Sequence, residues 1–193
     1  MRKLTYFISL SIDGFIAGPD DEIDFYHGSE DYMQWMVEDY GDALPTHVRG
    51  QVGAGQAPLT RFDTIVMGRR TYEPALAAGI TSPYAHLRQI VFSRSMRNDD
   101  SGVEFPAEEP LDVVRRLKSI ESDLGIYLAG GGTLAGQLLS EIDELIVKRY
   151  PVVAGSGIPA FGPAFDPTAY ALADLKSFRG GNIVESYVRA PAG

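Results

Sequence analysis

Cysteine is absent from the 193 residues, which excludes disulfides, thiolate zinc sites and cysteine nucleophiles together. Histidine occurs only three times (His27, His47 and His86), with no metal-ligand spacing, so no metal centre is expected. No apolar run approaches the length of a membrane span. The opening MRKLTYFISLSIDG breaks into polar positions too early for a signal peptide. These features predict a soluble, cytoplasmic protein that does not engage membranes. Positive charge is also scarce. Seventeen Lys and Arg against 26 Asp and Glu leave a formal charge of −9. That argues against nucleic acid, whose phosphates need a basic face, but not against a small anion held by a few local arginines. No internal repeat or linker divides the chain, and 45% hydrophobic residues over 21.0 kDa fit a single domain spanning 1–193.

What is present alternates. LTYFISLS at 4–11 reads as a buried strand ended by Asp13-Gly14, and 30–40 as a helix with one apolar side. The stretch 41–60 is dense in glycine, proline and small residues and reads as a long excursion, with Gly53-Ala54-Gly55 as its flexible part. Strands follow at 64–67, 89–93 and 125–129. A short helix lies after the first of these, with Pro74 expected in its opening turn. A second begins at Pro110, where Leu111, Val114, Leu117 and Lys118 keep helical spacing. A third runs from the glycines at 130–132 to about residue 140. The tail turns to strands at 144–153, 170–178 and 182–189, the last two joined by Arg179-Gly180-Gly181. This order predicts an α/β fold: a three-layer sandwich whose mostly parallel central sheet ends in an antiparallel hairpin.

In such a sheet, ligands bind at the carboxyl ends of the strands. Three of those ends carry phosphate-compatible residues: Gly68-Arg69-Arg70-Thr71, Ser93-Arg94-Ser95, and IYLAGGGTLAG at 126–136. The planar fork of arginine suits phosphate. Consecutive glycines let an anion approach backbone amides. Each segment alone also fits a plain turn or a solvated surface; three together suit a ligand with several separated phosphates.

Taken in order, LTYFISLSIDGFIAG, FDTIVMGRRTYEP, QIVFSRS, IYLAGGGTLAGQLL and YPVVAGSGIPAF resemble the dihydrofolate reductase-like family. The resemblance is to the branch holding the reductase domain of riboflavin biosynthesis, and it covers nearly the whole chain. It implies NADPH as cofactor and hydride transfer to a C=N or C=O group. By the same resemblance Gly68, Arg69 and Thr71 would hold the pyrophosphate and 2′-phosphate side, and Ser93 and Arg94 would flank the adenosine ribose. Gly131, Gly132, Thr133 and Leu134 would hold the pyrophosphate from the helix side, and Ala17 with residues 12–16 would lie along the nicotinamide. The family also implies a homodimer and a cis peptide between Gly130 and Gly131.

The substrate side is less marked. Reduction of a ring imine needs a proton, supplied by a carboxylate or an ordered water. Glu30 and Asp31, near the start of the first long helix, and Asp13 in the S-x-D-G turn are the candidate catalytic acids. The same residues suit a helix start and a tight turn as ordinary structural groups. Without cysteine the deaminase half of the bifunctional riboflavin enzyme is impossible. Three functions stay open: an NADPH-dependent reductase of a pteridine- or pyrimidine-like compound, the specific 5-amino-6-(5-phosphoribosylamino)uracil reductase, and a non-catalytic dinucleotide-binding protein.

Overall fold

A computed structural model describes residues 1–97, 102–162 and 165–191. Its centre is β1 (Leu4–Leu10), a run of β-branched and aromatic residues buried on both faces. On one side β1 pairs in parallel with β6 (Gly125–Ala129), and on the other with β7 (Ile142–Arg149). Beyond β6 come β3 (Phe62–Gly68), β4 (Arg88–Phe92) and the short β5 (Val103–Glu104), all parallel. Beyond β7, β10 (Ile183–Arg189) runs antiparallel and pairs with β9 (Tyr170–Ser177) at the edge. This is the expected parallel sheet with an antiparallel end. A separate two-stranded ribbon joins β2 (Phe15–Ala17) to β8 (Ile158–Pro159).

Two apolar layers flank the sheet. α1 (Glu30–Tyr40) and α3 (Arg69–Ala77) bury Tyr32, Trp35, Met36, Tyr40 and Tyr72 against Phe7, Ile65, Met67 and Ile146. On the opposite face α4 (Pro110–Ser119) and α5 (Gly132–Gln137) bury Val113, Val114, Leu117, Leu134 and Ala135 against Leu4, Tyr6, Val66 and Leu128. Buried Lys118 of α4 is neutralised by Asp143 at 2.8 Å and Glu141 at 3.3 Å.

Three local expectations need correction. Pro74 sits in the sixth position of α3, past the opening turn, so the helical bond to the Arg70 carbonyl is lost. β7 begins at Ile142 and stops at Arg149, because Pro151 lacks a ladder donor. The excursion at 41–60 is not merely loop: it holds a 3₁₀ turn (Gly41–Ala43) and α2 (Thr46–Gln51). Gly53, at φ 76°, ends α2 in the left-handed conformation that closes many helices.

A single carboxylate anchors that excursion. Asp42, 2% exposed, accepts the amides of Thr60, Arg61 and Phe62 at 2.7, 2.8 and 3.2 Å. It also pairs at 3.2 Å with Arg49, equally buried, which donates to the Ala57 carbonyl. Removing one member of a buried ion pair leaves an uncompensated charge. Asp42→Ala should therefore cost about 3–5 kcal/mol in urea unfolding, whereas Arg88→Ala, which breaks the exposed pair with Glu104, should cost about 1 kcal/mol or less.

Candidate functional site

The carboxyl ends of β1, β3, β4 and β6 open into a cleft of about 530 Å³, within the range of small-molecule sites. One end is apolar, walled by Ile8, Ile16, Ala17, Ile23 and Ile158; the other carries Arg69 and Arg94. There it meets a second hollow of about 810 Å³ between Ser93–Ser95, Arg97 and the 106–110 segment, with Arg69, Phe92, Arg94 and Gln137 common to both.

The glycine turn forms the cleft floor. Gly130 and Gly131 have φ of 54° and 79°, values that L side chains rarely adopt. The peptide between them is trans, contrary to expectation, since no cis bond occurs among the described residues. Two successive left-handed residues reverse the chain without isomerisation. A Cβ on Gly130 would stand 2.9 Å from the Thr71 hydroxyl, so the turns after β3 and β6 converge on one spot. Gly132 is required by a different neighbour: a Cβ there would run into the Pro159 carbonyl of β8.

Of the residues singled out from the sequence, Ala17, Gly68, Arg69, Thr71, Arg94, Gly131, Gly132, Thr133 and Leu134 all line this cleft. Ser93 lies in the adjoining hollow, where its hydroxyl accepts the amides of Met96 and Ser95 at 2.9 and 3.3 Å. It shapes the turn that presents Arg94. Arg69 is half exposed and only loosely paired with Glu73 at 3.7 Å, so its guanidinium can turn to a ligand. Asp21, Pro74, Gln137 and Ile158 line the cleft as well and were not foreseen. Pro74, Gln137 and Ile158 fall inside FDTIVMGRRTYEP, IYLAGGGTLAGQLL and YPVVAGSGIPAF and were available as signals; Asp21 lies in none of the quoted motifs. Asp21, the one non-glycine residue with positive φ among those described, accepts two bonds from Arg70 at 2.7 and 3.2 Å. This pair ties the β2 side of the cleft to the first turn of α3.

Asp13, Glu30 and Asp31 are not in the cleft lining. Asp13 accepts from the Ser11 hydroxyl at 2.6 Å and from the amides of Ala154 and Gly155 at 3.0 and 2.7 Å. These bonds, the Ser11 hydroxyl first, pull its pKa down to about 2. Asp31 binds the Ser29 hydroxyl at 2.6 Å and the amides of Tyr32 and Arg179, which also lower its pKa. It fastens the start of α1 to the turn between β9 and β10. Glu30 stands exposed on the first turn of α1.

No family model matches the chain. It is 34% identical to YwjB of Bacillus subtilis (strain 168), an uncharacterized protein, over 98% of this chain and 99% of that one. To YyaP of the same organism, also uncharacterized, it is 24% identical over 83% and 80%. Among solved structures, a putative riboflavin biosynthesis protein from Shewanella sp. PV-4 superposes with a TM-score of 0.73 at 21% identity, covering 97% of this chain and 99% of that one. The Thermotoga maritima diaminohydroxyphosphoribosylaminopyrimidine deaminase/5-amino-6-(5-phosphoribosylamino)uracil reductase gives 0.63 at 13% identity, covering 98% of this chain but 57% of that one.

The Asp13 clamp has a consequence in acid. Because the folded pKa lies below the ordinary carboxylate value, its stabilisation is complete above about pH 4 and is lost as pH falls through about 2. Asp13→Asn should flatten the fall of stability across that window, read by urea unfolding at a series of pH values.

Proposed function

The chain belongs to one family with YwjB and has the dihydrofolate reductase-like fold of the riboflavin-biosynthesis reductases, and from that premise we propose that it is an NADPH-dependent reductase of a small pteridine- or pyrimidine-like ring. The observation that carries this reading is the convergence of Arg69, Thr71, Arg94 and the 130–132 turn on one cleft whose far end is apolar. NADPH, when bound, supplies the hydride for a C=N or C=O group.

The residues present fit such a cofactor. The turn at 130–132, free of Cβ atoms, and the Thr71 hydroxyl suit a pyrophosphate, while Arg69 and Arg94 suit the additional 2′-phosphate. Ile8, Ile16, Ala17 and Ile158 offer the nicotinamide an apolar slot at that end of the cleft. Asp13, ionised at neutral pH, serves there as a positioning residue: it holds the 11–15 turn against the 154–155 loop beside that slot. The proton that follows the hydride then comes from water rather than from Asp13, Glu30 or Asp31.

A second copy belongs to this reading. β9 is exposed along nearly its whole length as an unpaired edge, with Leu172 and Leu175 each 54% exposed. Long open edges with apolar side chains invite pairing, and a homodimer would cover this one.

NADPH should bind at least about tenfold tighter than NADH, the worth of one charge-assisted contact of about 1.5–3 kcal/mol. Arg69→Ala should erase most of that difference with little change in NADH affinity, as read by fluorescence titration. Equal affinities for the wild-type chain would remove the 2′-phosphate assignment. Oxidation of NADPH against pterins, ribosylaminopyrimidines and simple carbonyls tests the reductase itself. Light scattering should give twice the 21.0 kDa of one chain.

A further inference from the structure

The sheet face beneath α1 holds a lysine with no ion-pair partner among the described residues. Lys148 of β7 stands in register with Ser9 of β1 and Val184 of β10, so the three side chains project together toward α1. Its ammonium lies 3.9 Å from the centroid of the Phe7 ring. Tyr40 stacks on that ring at 4.6 Å, leaving the ammonium the opposite face. The other three lysines are all paired: Lys3 with Glu144, Lys118 with Glu141 and Asp143, and Lys176 with Asp39.

Among the described residues no carboxylate pairs with Lys148. Glu144, on the same side of β7, is taken by Lys3. From α1 and β6 come the phenols of Tyr32, Tyr40 and Tyr127, all pushed upward chiefly by burial and neutral near pH 7. Tyr150, two residues on, shares its hydroxyl hydrogen bond with Tyr32. Burial alone lowers Lys148 to about 7. A cation in such surroundings is costly without a partner.

The position is nevertheless open. Ser9 and Lys148 keep partial exposure, while their neighbours Phe7, Ser11, Ile146, Tyr150 and Val184 are all between 0% and 8% exposed. Phe7 is in register with Ala129, the last residue of β6 before the glycine turn, and Ser9 lies two residues beyond that level on β1. Ile8, the residue before Ser9, already lines the cofactor cleft. The opening thus borders the glycine turn from the α1 side.

From this juxtaposition we infer that Ser9 and Lys148 form the substrate-side subsite, and that it takes a ring bearing an ionised oxygen, a carboxylate or a deprotonated lactam. The ammonium and the hydroxyl supply adjacent donors to that oxygen, and charge-assisted bonds of this kind are the stronger class. The word substrate rests on the reductase reading above; the anion site itself does not.

Orotate and its neutral methyl ester differ at the ring substituent chiefly in charge and make a suitable probe pair. With the NADP⁺-loaded protein at slightly acidic pH, orotate should bind at least about tenfold tighter than the ester. Lys148→Met should abolish the preference and Lys148→Arg should retain it, with NADPH affinity unchanged in both. Independently, ¹³C-methylation of the four lysines should give one resonance that titrates near neutrality. Orotate should raise its midpoint and the ester should not. Equal binding of the two probes by the wild-type chain, or a Lys148 midpoint indifferent to orotate, overturns the inference. A chain that fails to bind NADPH yet shows the orotate-dependent midpoint loses the reductase reading and keeps the anion site.

Discussion

The parallel pairing of β1 between β6 and β7, continuous from Thr5 onward, is the constraint on which the rest depends. Because side chains alternate along a strand, that pairing sends Tyr6, Ile8 and Leu10 to the α4–α5 layer and Phe7, Ser9 and Ser11 to the α1 layer. A slip of one residue would exchange the two sets. It would put aromatic bulk where the cleft needs Ile8 and remove Ser11 from beneath Asp13. The same pairing brings the carboxyl ends of β1, β3 and β6 to one level, which is why turns distant in sequence share a cleft.

A net charge of −9 is no obstacle to the anionic ligand proposed for the cleft. Many of its acids are already engaged: Asp42 by Arg49 and three amides, Asp143 and Glu141 by Lys118, Asp21 by Arg70. Arg69 and Arg94 are left with weak partners or none among the described residues, in a part of the surface where backbone amides add to them. Local arrangement, not bulk charge, decides what this surface attracts.

Much of the architecture was legible because its signals are local. β1 and β6 are short apolar runs, β6 ended by glycine and β1 followed by the Asp13-Gly14 turn, α1 matches its apolar period from Glu30 to Tyr40, and α4 is announced by Pro110 at its first turn. The turns that line the cleft were legible for the same reason, since glycine and arginine turns mark themselves. β2, β5 and β8 have two or three residues each and exist only through partners remote in sequence. α2 was hidden because what stabilises it, Asp42 meeting Arg49, looks in sequence like two unrelated surface charges. Lys148 was hidden likewise: within Glu144–Arg149 nothing distinguishes a lysine over Phe7 from one in water.

The Asp42 node also separates what lies between its contacts from the rest of the molecule. Thr60, Arg61 and Phe62 are fixed to one carboxylate just ahead of β3, and the 3₁₀ turn at Gly41–Ala43 is fixed at the other end. The ends of the intervening segment are therefore held together whatever its contour. Closing such a loop costs only about 0.6 kcal/mol more for each doubling of its length. The stretch after α2 behaves as a cassette: its length can change at small entropic cost without moving a strand, and the floor of the cleft, built by other turns, is unaffected.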